Sequence, residues 1–178
     1  MRRVYLYRHG EAQDRDRSGE RVLDGYELSS IPRTGAQHIA RLGLNPEIVG
    51  VSNIRRTHTT AKLFTSRVHK NPQLITHGFL DELPLARSSA SDRYELIEML
   101  RHGRAPEEYQ QIGERILEEL TTSDPRINIF FTHGSVLAAV QVAKRAKLGS
   151  DLQNVAKTSL VIPPLVSVQI DIEVRAAA

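Results

Sequence analysis

Apolar and polar residues follow two different periods along this chain, and the two periods alternate. Short apolar runs typical of strands occur at residues 3–7, 48–51, 73–76 and 126–131. Between these runs, apolar residues recur at i, i+3, i+4 and i+7, which predicts helices. The predicted buried faces are Ala36, Ile39, Ala40 and Gly43; Ile54, Ala61, Phe64 and Val68; Tyr109, Ile112, Ile116 and Leu120; and Val136, Ala139, Val140 and Ala143. This alternation predicts an α/β fold, a three-layer α/β/α sandwich around a mostly parallel central sheet.

Capping residues and prolines predict where some of these elements end. Thr34 is the expected N-cap of the first helix, and Pro106 suits the first turn of a later one. A further helix is expected from a cap at Ser91 or Asp92 to about residue 101. Near the C-terminus, residues 158–162 are rich in β-formers. An antiparallel edge strand is predicted by the alternating Val166, Val168, Ile170 and Ile172.

Composition is typical of an ordinary globular enzyme. The 178 residues suit one domain over residues 1–178, with 40% hydrophobic and 25% charged residues. The absence of cysteine excludes disulfides and thiol nucleophiles, and a cytoplasmic location is expected. No apolar run approaches the roughly 20 residues of a membrane helix, so no membrane partner is expected. The net charge of +3 is small and its basic residues are dispersed, which argues against a nucleic-acid partner.

One short pattern occurs twice and carries the candidate chemistry. A predicted strand ends in His9-Gly10, and another ends in His133-Gly134. Ligands of α/β proteins bind at the carboxyl ends of strands, so the two histidines would face each other if their strands are neighbours. The glycine after each histidine lets backbone N–H groups approach an anion closely. A lone histidine is more commonly structural, but two in matched contexts favour a functional site.

Arginines add anion-binding capacity to this pattern. Arg8 directly precedes His9, and Arg56 lies at the start of a predicted helix. A guanidinium binds phosphate through paired, charge-assisted hydrogen bonds. The neighbouring Arg55 is interpreted as a solvated surface charge.

Several segments, in order along the chain, resemble the histidine phosphatase superfamily, which includes the phosphoglycerate mutase-like proteins. The first is Arg8-His9-Gly10-Glu11 after an N-terminal strand. Leu28-Ser29 with Gly35-Ala36-Gln37 is similar to the family's L-(S/T)-x-x-G-x-x-Q-A stretch, with slightly different spacing. Residues 51–61 resemble its S-x-x-x-R-A-x-Q-T-A segment. The last two are Leu80-Asp81-Glu82 and Thr132-His133-Gly134. The resemblance implies a phosphoglycerate mutase-like fold.

The resemblance also implies a role for each matched residue. His9 would be the nucleophile and become transiently phosphorylated. Arg8, Arg56 and His133 would bind the phosphoryl oxygens, with the backbone of Gly10 beside them. Glu82 would protonate the leaving oxygen and then activate water. The implied reaction is hydrolysis of a phosphomonoester or phosphoramidate, in a small phosphorylated metabolite or a phosphoprotein, with neither metal nor organic cofactor.

The chain also departs from the family pattern. Thr57 and Thr59 replace the usual alanine and glutamine beside Arg56, and the glycine-rich segment that often follows the acid is absent. The compact length is nearer to the short phosphohistidine-phosphatase branch, in which an acid is not always present. The general acid therefore stays open between Glu82, Asp81 and no residue.

Two other functions remain as alternatives. A phosphotransferase of phosphoglycerate mutase type would return the phosphoryl group to a sugar acid. A non-catalytic module would only bind phosphorylated ligands, although the intact Arg8, His9, Arg56 and His133 argue against it. A metal site is not expected, because the remaining histidines are scattered along the chain. The substrate, which would depend on residues 13–26 and 83–104 over the pocket, and the oligomeric state are not indicated by the sequence.

Overall fold

The computed structural model describes residues 1–12, 14–15, 21–83, 98, 102, 107–147 and 164–172. In chain order, its elements are strands β1 (Arg2–Arg8), β2 (Asp14–Arg15) and β3 (Arg21–Val22), helix α1 (Gly25–Leu42), strand β4 (Ile48–Val51), helix α2 (Arg55–Thr65), strand β5 (Gln73–Thr76), a 3₁₀ turn (Gly78–Leu80), helix α3 (Glu107–Thr122), strand β6 (Ile129–Thr132), helix α4 (Gly134–Lys147) and strand β7 (Ser167–Ile172). No helix within these described ranges is long and apolar enough to cross a membrane.

Five strands form the main sheet, in the order β5-β4-β6-β1-β7. The first four run parallel, and β7 pairs antiparallel with β1 at the edge. The predicted mostly parallel sheet with an antiparallel edge is therefore confirmed. The register pairs Arg8 of β1 with Thr132 of β6, so the two strands end at the same level. The residues that follow the two strands, His9 and His133, therefore lie side by side.

Helices cover both faces of the sheet, because successive side chains of its buried strands point to opposite faces and both faces are apolar. Along β1, Tyr5 and Tyr7 belong to the core beneath α1 and α2, whereas Val4 and Leu6 belong to the core beneath α3 and α4. The backbones of α1 and α2 nearly touch, because a Cβ on Gly35 would lie 1.9 Å from the carbonyl oxygen of Phe64. The three-layer α/β/α architecture is thus confirmed, and α2 is held tightly where its first turn reaches the site.

The start of α1 differs from the prediction. Asp24, not Thr34, is the N-cap, because its carboxylate accepts the backbone N–H of Glu27 at 2.8 Å. The helix then continues through Pro32 and places Thr34 in its interior. The described part of residues 13–26, which the sequence suggests lie over the pocket, contains the β2–β3 hairpin and the first residues of α1.

Two further boundaries are corrected by local contacts. Strand β6 begins at Ile129 rather than residue 126, because the Asp124 carboxylate binds the backbone and guanidinium of Arg126 in a turn. Ile54 is the N-cap residue of α2 and Val68 lies beyond its end, so neither is inside the helix. The predicted helix after Ser91 or Asp92, Pro106 and the β-rich residues 158–162 lie outside the described residues.

Candidate active site

The floor of the candidate site is built by the carboxyl ends of three neighbouring parallel strands. His9 follows β1, and its backbone N–H donates to the Thr132 carbonyl at 3.0 Å. Ser52 follows β4, and its backbone N–H donates to the Phe131 carbonyl at 3.2 Å. His133 follows β6 between them. The ring centroids of His9 and His133 are 5.0 Å apart in an edge-on arrangement, and the two residues are 7% and 1% exposed. The structure therefore brings the two predicted histidines into one buried crevice.

Arg56, in the first turn of α2, connects the groups of this crevice. Its Nε donates to His9 Nε2 at 3.0 Å, and its Nη2 lies 3.1 Å from His133 Nδ1. The same Nη2 donates to Glu82 Oε2 at 2.9 Å in an ion pair. Its side chain is only 11% exposed, so these contacts lie in a region of low solvent access. One guanidinium thus holds both histidines and the carboxylate together.

The hydrogen-bond partners determine the tautomer of His9. Its Nδ1 is 2.6 Å from the carbonyl oxygen of Gly10, which can only accept a hydrogen bond. Nδ1 therefore carries the proton, and Nε2 keeps a lone pair that accepts from Arg56. Partner chemistry, rather than an observed hydrogen, supports this assignment. The bare Nε2 faces the cationic side of the crevice, where an anionic group would bind.

Burial keeps this imidazole neutral. Desolvation first, then the positive charges of Arg56 and Arg8, lower the pKa of His9 to about 3, although the Gly10 carbonyl opposes the shift. An unfolded chain would protonate the same ring near pH 6.5. The contribution of neutral His9 to folding stability is therefore complete above pH 6.5 and declines as the pH falls from there toward 3.

We expect His9 to stay neutral at pH 5 in phosphate-free protein. Its ¹⁵N ring resonances, assigned with a His9→Asn variant, should show the Nδ1–H tautomer between pH 7 and 5. Inorganic phosphate should move the midpoint upward, because a nearby anion favours the protonated ring. A midpoint near 6.5 in the phosphate-free protein would contradict the buried, arginine-flanked environment. Circular dichroism at each pH checks that the protein remains folded.

Two hydroxyl groups orient His133 from behind. Because Arg56 can only donate, His133 Nδ1 is the acceptor, and its Nε2–H points at Ser52 Oγ at 2.9 Å. Ser52 Oγ lies 3.0 Å from Thr57 Oγ1, which donates to the carbonyl of Ile54 at 2.7 Å. Ser52 and Thr57 are fully buried. Thr57, a departure from the family pattern, therefore completes a hydrogen-bond chain that fixes the ring of His133.

Arg8 and Gly10 contribute differently from one another. The Arg8 side chain extends to the start of α4, where its Nε would lie 3.7 Å from a Cβ on Gly134, next to His133. Its Nη2 is 3.6 Å from a Glu11 carboxylate oxygen. The backbone N–H of Gly10, expected to face an anion, instead donates to Thr60 Oγ1 at 3.1 Å. The structure thus gathers the predicted side chains, whereas the Gly10 amide binds α2.

The two adjacent acids occupy separate places. Asp81 accepts the backbone N–H of Asn53 at 2.6 Å and its side-chain amide at 2.7 Å. Glu82 instead pairs with Arg56 beside the histidines. The geometry therefore favours Glu82 over Asp81 as the residue able to exchange a proton with a bound ligand.

Sequence reasoning did not assign roles to Ser52, Thr57 or Thr60. Their signal is local: a hydroxyl residue directly after β4 is followed by threonines within the first turns of α2. Within the described part of the chain, no group of three or more His, Asp or Glu side chains is arranged to hold a metal ion.

Comparison with solved structures identifies proteins of the same fold, although no protein-family model and no curated protein sequence matches the chain. Phosphoserine phosphatase from Entamoeba histolytica aligns with a TM-score of 0.63 and 14% identity, over 95% of this chain and 90% of the other. A mycobacterial glucosyl-3-phosphoglycerate phosphatase aligns with a TM-score of 0.62 and 17% identity, over 94% of this chain and 89% of the other. SixA of Agrobacterium tumefaciens, assigned as a phosphohistidine phosphatase, aligns with a TM-score of 0.60 and 16% identity, over 96% of this chain and 91% of the other.

These neighbours are all members of the histidine phosphatase superfamily. Their similarity extends over nearly the whole chain, and it agrees with the segments that carried the sequence resemblance. At such low identity, the alignment is evidence for the shared architecture. The chain has the phosphoglycerate mutase-like fold of the histidine phosphatases.

Proposed function

We propose that the protein is a phosphatase that hydrolyses a phosphomonoester or phosphoramidate through a phosphohistidine on His9. One observation carries the proposal: the bare Nε2 of His9 faces a guanidinium that also reaches His133 and Glu82. A nucleophile, cationic groups for the phosphoryl oxygens and a carboxyl group thus lie around one point. The phosphatases that share this fold support the same reading.

In the first step, the lone pair of His9 Nε2 forms a P–N bond while the bond from phosphorus to the leaving group breaks. Phosphoryl oxygens replace His9 Nε2 and Glu82 as acceptors of the Arg56 hydrogen bonds, and Arg8 adds a second cation. The Glu82 carboxylate, displaced from Arg56, takes up the acidic proton of the bound phosphate monoanion and passes it to the departing oxygen or nitrogen. His133 adjoins the same phosphoryl group, because its Nδ1 lies 3.1 Å from the Arg56 guanidinium that binds the phosphoryl oxygens.

In the second step, water attacks the phosphohistidine. The Glu82 carboxylate accepts a proton from this water, a P–O bond forms, and the P–N bond breaks to return the electron pair to His9. Inorganic phosphate and a neutral His9 result. Burial supports both steps, because a ring with its pKa lowered to about 3 is an available nucleophile at neutral pH and regains that state after turnover.

The substrate of this chain is proposed only as a class. The printed names of the neighbours include phosphoserine, glucosyl-3-phosphoglycerate and phosphohistidine, so one fold serves both small metabolites and phosphoproteins. We propose a phosphorylated metabolite or a phosphoprotein as the substrate. The cytoplasmic location and the single-domain organisation of residues 1–178 stay predictions.

Product analysis tests the proposed reaction. The protein is incubated with p-nitrophenyl phosphate, a panel of phosphorylated sugar acids and a phosphohistidine peptide, and both inorganic phosphate and isomeric products are measured. Accumulation of inorganic phosphate supports a phosphatase. An isomer without free phosphate would instead indicate a mutase-type phosphotransferase, and ligand binding with neither product would indicate a binding module.

A further inference from the structure

A buried carboxyl group that the proposed reaction does not use lies against the backbone that follows the nucleophile. Glu27, in the first turn of α1, is only 8% exposed. Its Oε2 would lie 3.0 Å from a Cβ on Gly10, the residue directly after His9. That oxygen is buried and has no hydrogen-bond partner among the described residues. Burying a carboxylate in this way costs stability, which points to a role in function.

One peptide unit connects Glu27 to His9. The Glu27 carboxylate accepts a hydrogen bond from the backbone N–H of Glu11. The same peptide unit contains the carbonyl of Gly10, because each unit joins the C=O of one residue to the N–H of the next. This carbonyl accepts from His9 Nδ1 at 2.6 Å, which is shorter than a typical N–H···O hydrogen bond. Carboxylate, peptide and imidazole therefore form one chain of hydrogen bonds.

The surroundings of this chain hold it in place and keep it dry. Asp24 Oδ1 accepts the backbone N–H of Glu27 at 2.8 Å, so the helix cap fixes the residue that carries the carboxylate. Gly10 is buried, and a Cβ there would lie 2.9 Å from Ile31 Cδ1 and 3.1 Å from Leu23 Cδ2. In such a region of low dielectric constant, each hydrogen bond of a chain polarises the next more strongly than in water.

The proposed reaction makes use of a negative charge at the far end of this chain. As the P–N bond forms at Nε2, electron density leaves the His9 ring and positive charge develops on it. Its Nδ1–H then becomes a stronger donor to the Gly10 carbonyl. In the Ser-His-Asp triad, a carboxylate bound directly to the imidazole fixes its tautomer and stabilises the imidazolium. Here a peptide unit lies between the two groups.

We propose that Glu27 is a positioning residue for the nucleophile and acts on His9 through the Gly10–Glu11 peptide unit. The inference rests on the proposed phosphatase function and deepens it. The ionised carboxylate keeps the proton on Nδ1, leaves Nε2 bare for attack, and stabilises the positive charge that the ring acquires during transfer. Because it acts on the nucleophile, its effect should be the same for every leaving group.

Substitution of Glu27 tests this role. Glu27→Gln keeps an acceptor oxygen but removes the charge, and should slow phosphoryl transfer in a single turnover by roughly 3- to 10-fold, the effect of an ordinary hydrogen bond. Glu27→Leu also removes the acceptor and should lose more. The loss should be equal for p-nitrophenyl phosphate and an alkyl phosphate, whereas loss of a leaving-group acid spares the aryl ester. Glu108→Gln, the matched control, removes an exposed glutamate from the first turn of α3 and should keep the wild-type rate.

The pH dependence separates an effect of charge from an effect of packing. Burial first, and then the charges of Asp24 and Glu11, raise the pKa of the Glu27 carboxyl above its ordinary value of 4.5, although the Glu11 N–H and Arg8 oppose the shift. Protonation removes the charge. The ratio of the wild-type to the Glu27→Gln transfer rate should therefore fall toward one as the pH falls through that pKa. This ratio cancels the titration of the substrate and of Glu82, which both proteins share.

A second readout requires no turnover. The ¹H resonance of His9 Nδ1–H should move upfield in Glu27→Gln, because the hydrogen bond to the Gly10 carbonyl weakens. The resonance of His133 Nε2–H, which is bound to Ser52, should stay in place and serves as the internal reference. An unmoved His9 resonance would overturn the proposal.

The outcomes separate this inference from the function on which it rests. Turnover by the wild-type protein with an unchanged transfer rate in folded Glu27→Gln, a loss confined to the alkyl phosphate, a rate ratio independent of pH, or an equal loss in Glu108→Gln would overturn the role of Glu27 and retain the phosphatase. Phosphate release from no substrate by the wild-type protein would contradict the phosphatase itself, and the His9 resonance would then decide whether Glu27 acts on the ring. Circular dichroism at each pH verifies that the proteins are folded.

Discussion

Phosphate release by a His9→Ala variant is expected to fall to background. The substitution removes Nε2, the atom that accepts from Arg56 Nε and would form the P–N bond. Wild-type protein mixed with ³²P-labelled substrate should retain an acid-labile label during a single turnover, whereas the variant should retain none. Steady-state release of inorganic phosphate gives the corresponding loss of rate.

His102→Ala is the matched control for this experiment. The His102 side chain is 68% exposed, so its removal deletes an imidazole without disturbing the buried crevice. It should release phosphate at the wild-type rate. Circular dichroism and thermal unfolding verify that His9→Ala remains folded despite losing a buried ring. Normal turnover by folded His9→Ala would rule out the covalent route.

Glu82→Gln is expected to slow phosphoryl transfer from an alkyl phosphate by about 10²–10⁴-fold, the usual contribution of a general acid. Glutamine keeps an acceptor oxygen for the Arg56 guanidinium but cannot donate a carboxyl proton. An aryl phosphate with a good leaving group needs little protonation and should lose much less. The comparison requires single-turnover measurement of the transfer step, because hydrolysis of the phosphohistidine is common to both substrates.

The adjacent acid provides the control for Glu82. Asp81 is bound to Asn53 rather than to Arg56, so Asp81→Asn should leave transfer from the alkyl phosphate nearly unchanged. Equal slowing of both substrates by Glu82→Gln would mean that Glu82 orients Arg56 instead of donating a proton. If neither substitution has an effect, the chain works without an acid. A phosphoramidate substrate, whose leaving group departs more easily, would then be favoured.

Local pattern was sufficient for most of the architecture and for the expectation that His9 and His133 lie at neighbouring strand ends. A buried strand followed by His-Gly can be recognised in the sequence, and parallel strands bring their carboxyl ends to one edge. His9 and His133 could therefore be expected to meet. The same reasoning failed at the start of α1, because Asp24 and Thr34 are both residue types that cap helices well. Which of them begins the helix depends on whether Ile31, between them, is buried against distant segments. Capping preference alone does not contain that information.

Adjacency in sequence could not distinguish the roles of neighbouring residues. Asp81 and Glu82 are equivalent carboxylates in the sequence, but the chain after β5 directs one toward Asn53 and the other toward Arg56. Arg55 and Arg56 are likewise adjacent, yet a helix turns successive side chains about 100° apart. One therefore reaches the histidines, and the other lines a neighbouring cleft beside Arg21 and Leu28.

The sequence by itself determined the alternation of strands and helices, the two histidines at strand ends and the arginines available to bind an anion. These properties follow from periodicity and from residue type, which act over a few neighbouring positions. The tertiary structure alone decided which nitrogen of His9 is bare, how Ser52 and Thr57 hold His133, and which carboxylate lies beside Arg56. Each of these depends on contacts between segments far apart in the chain, and such contacts arise only when β1, β4 and β6 lie side by side with α2 above their ends.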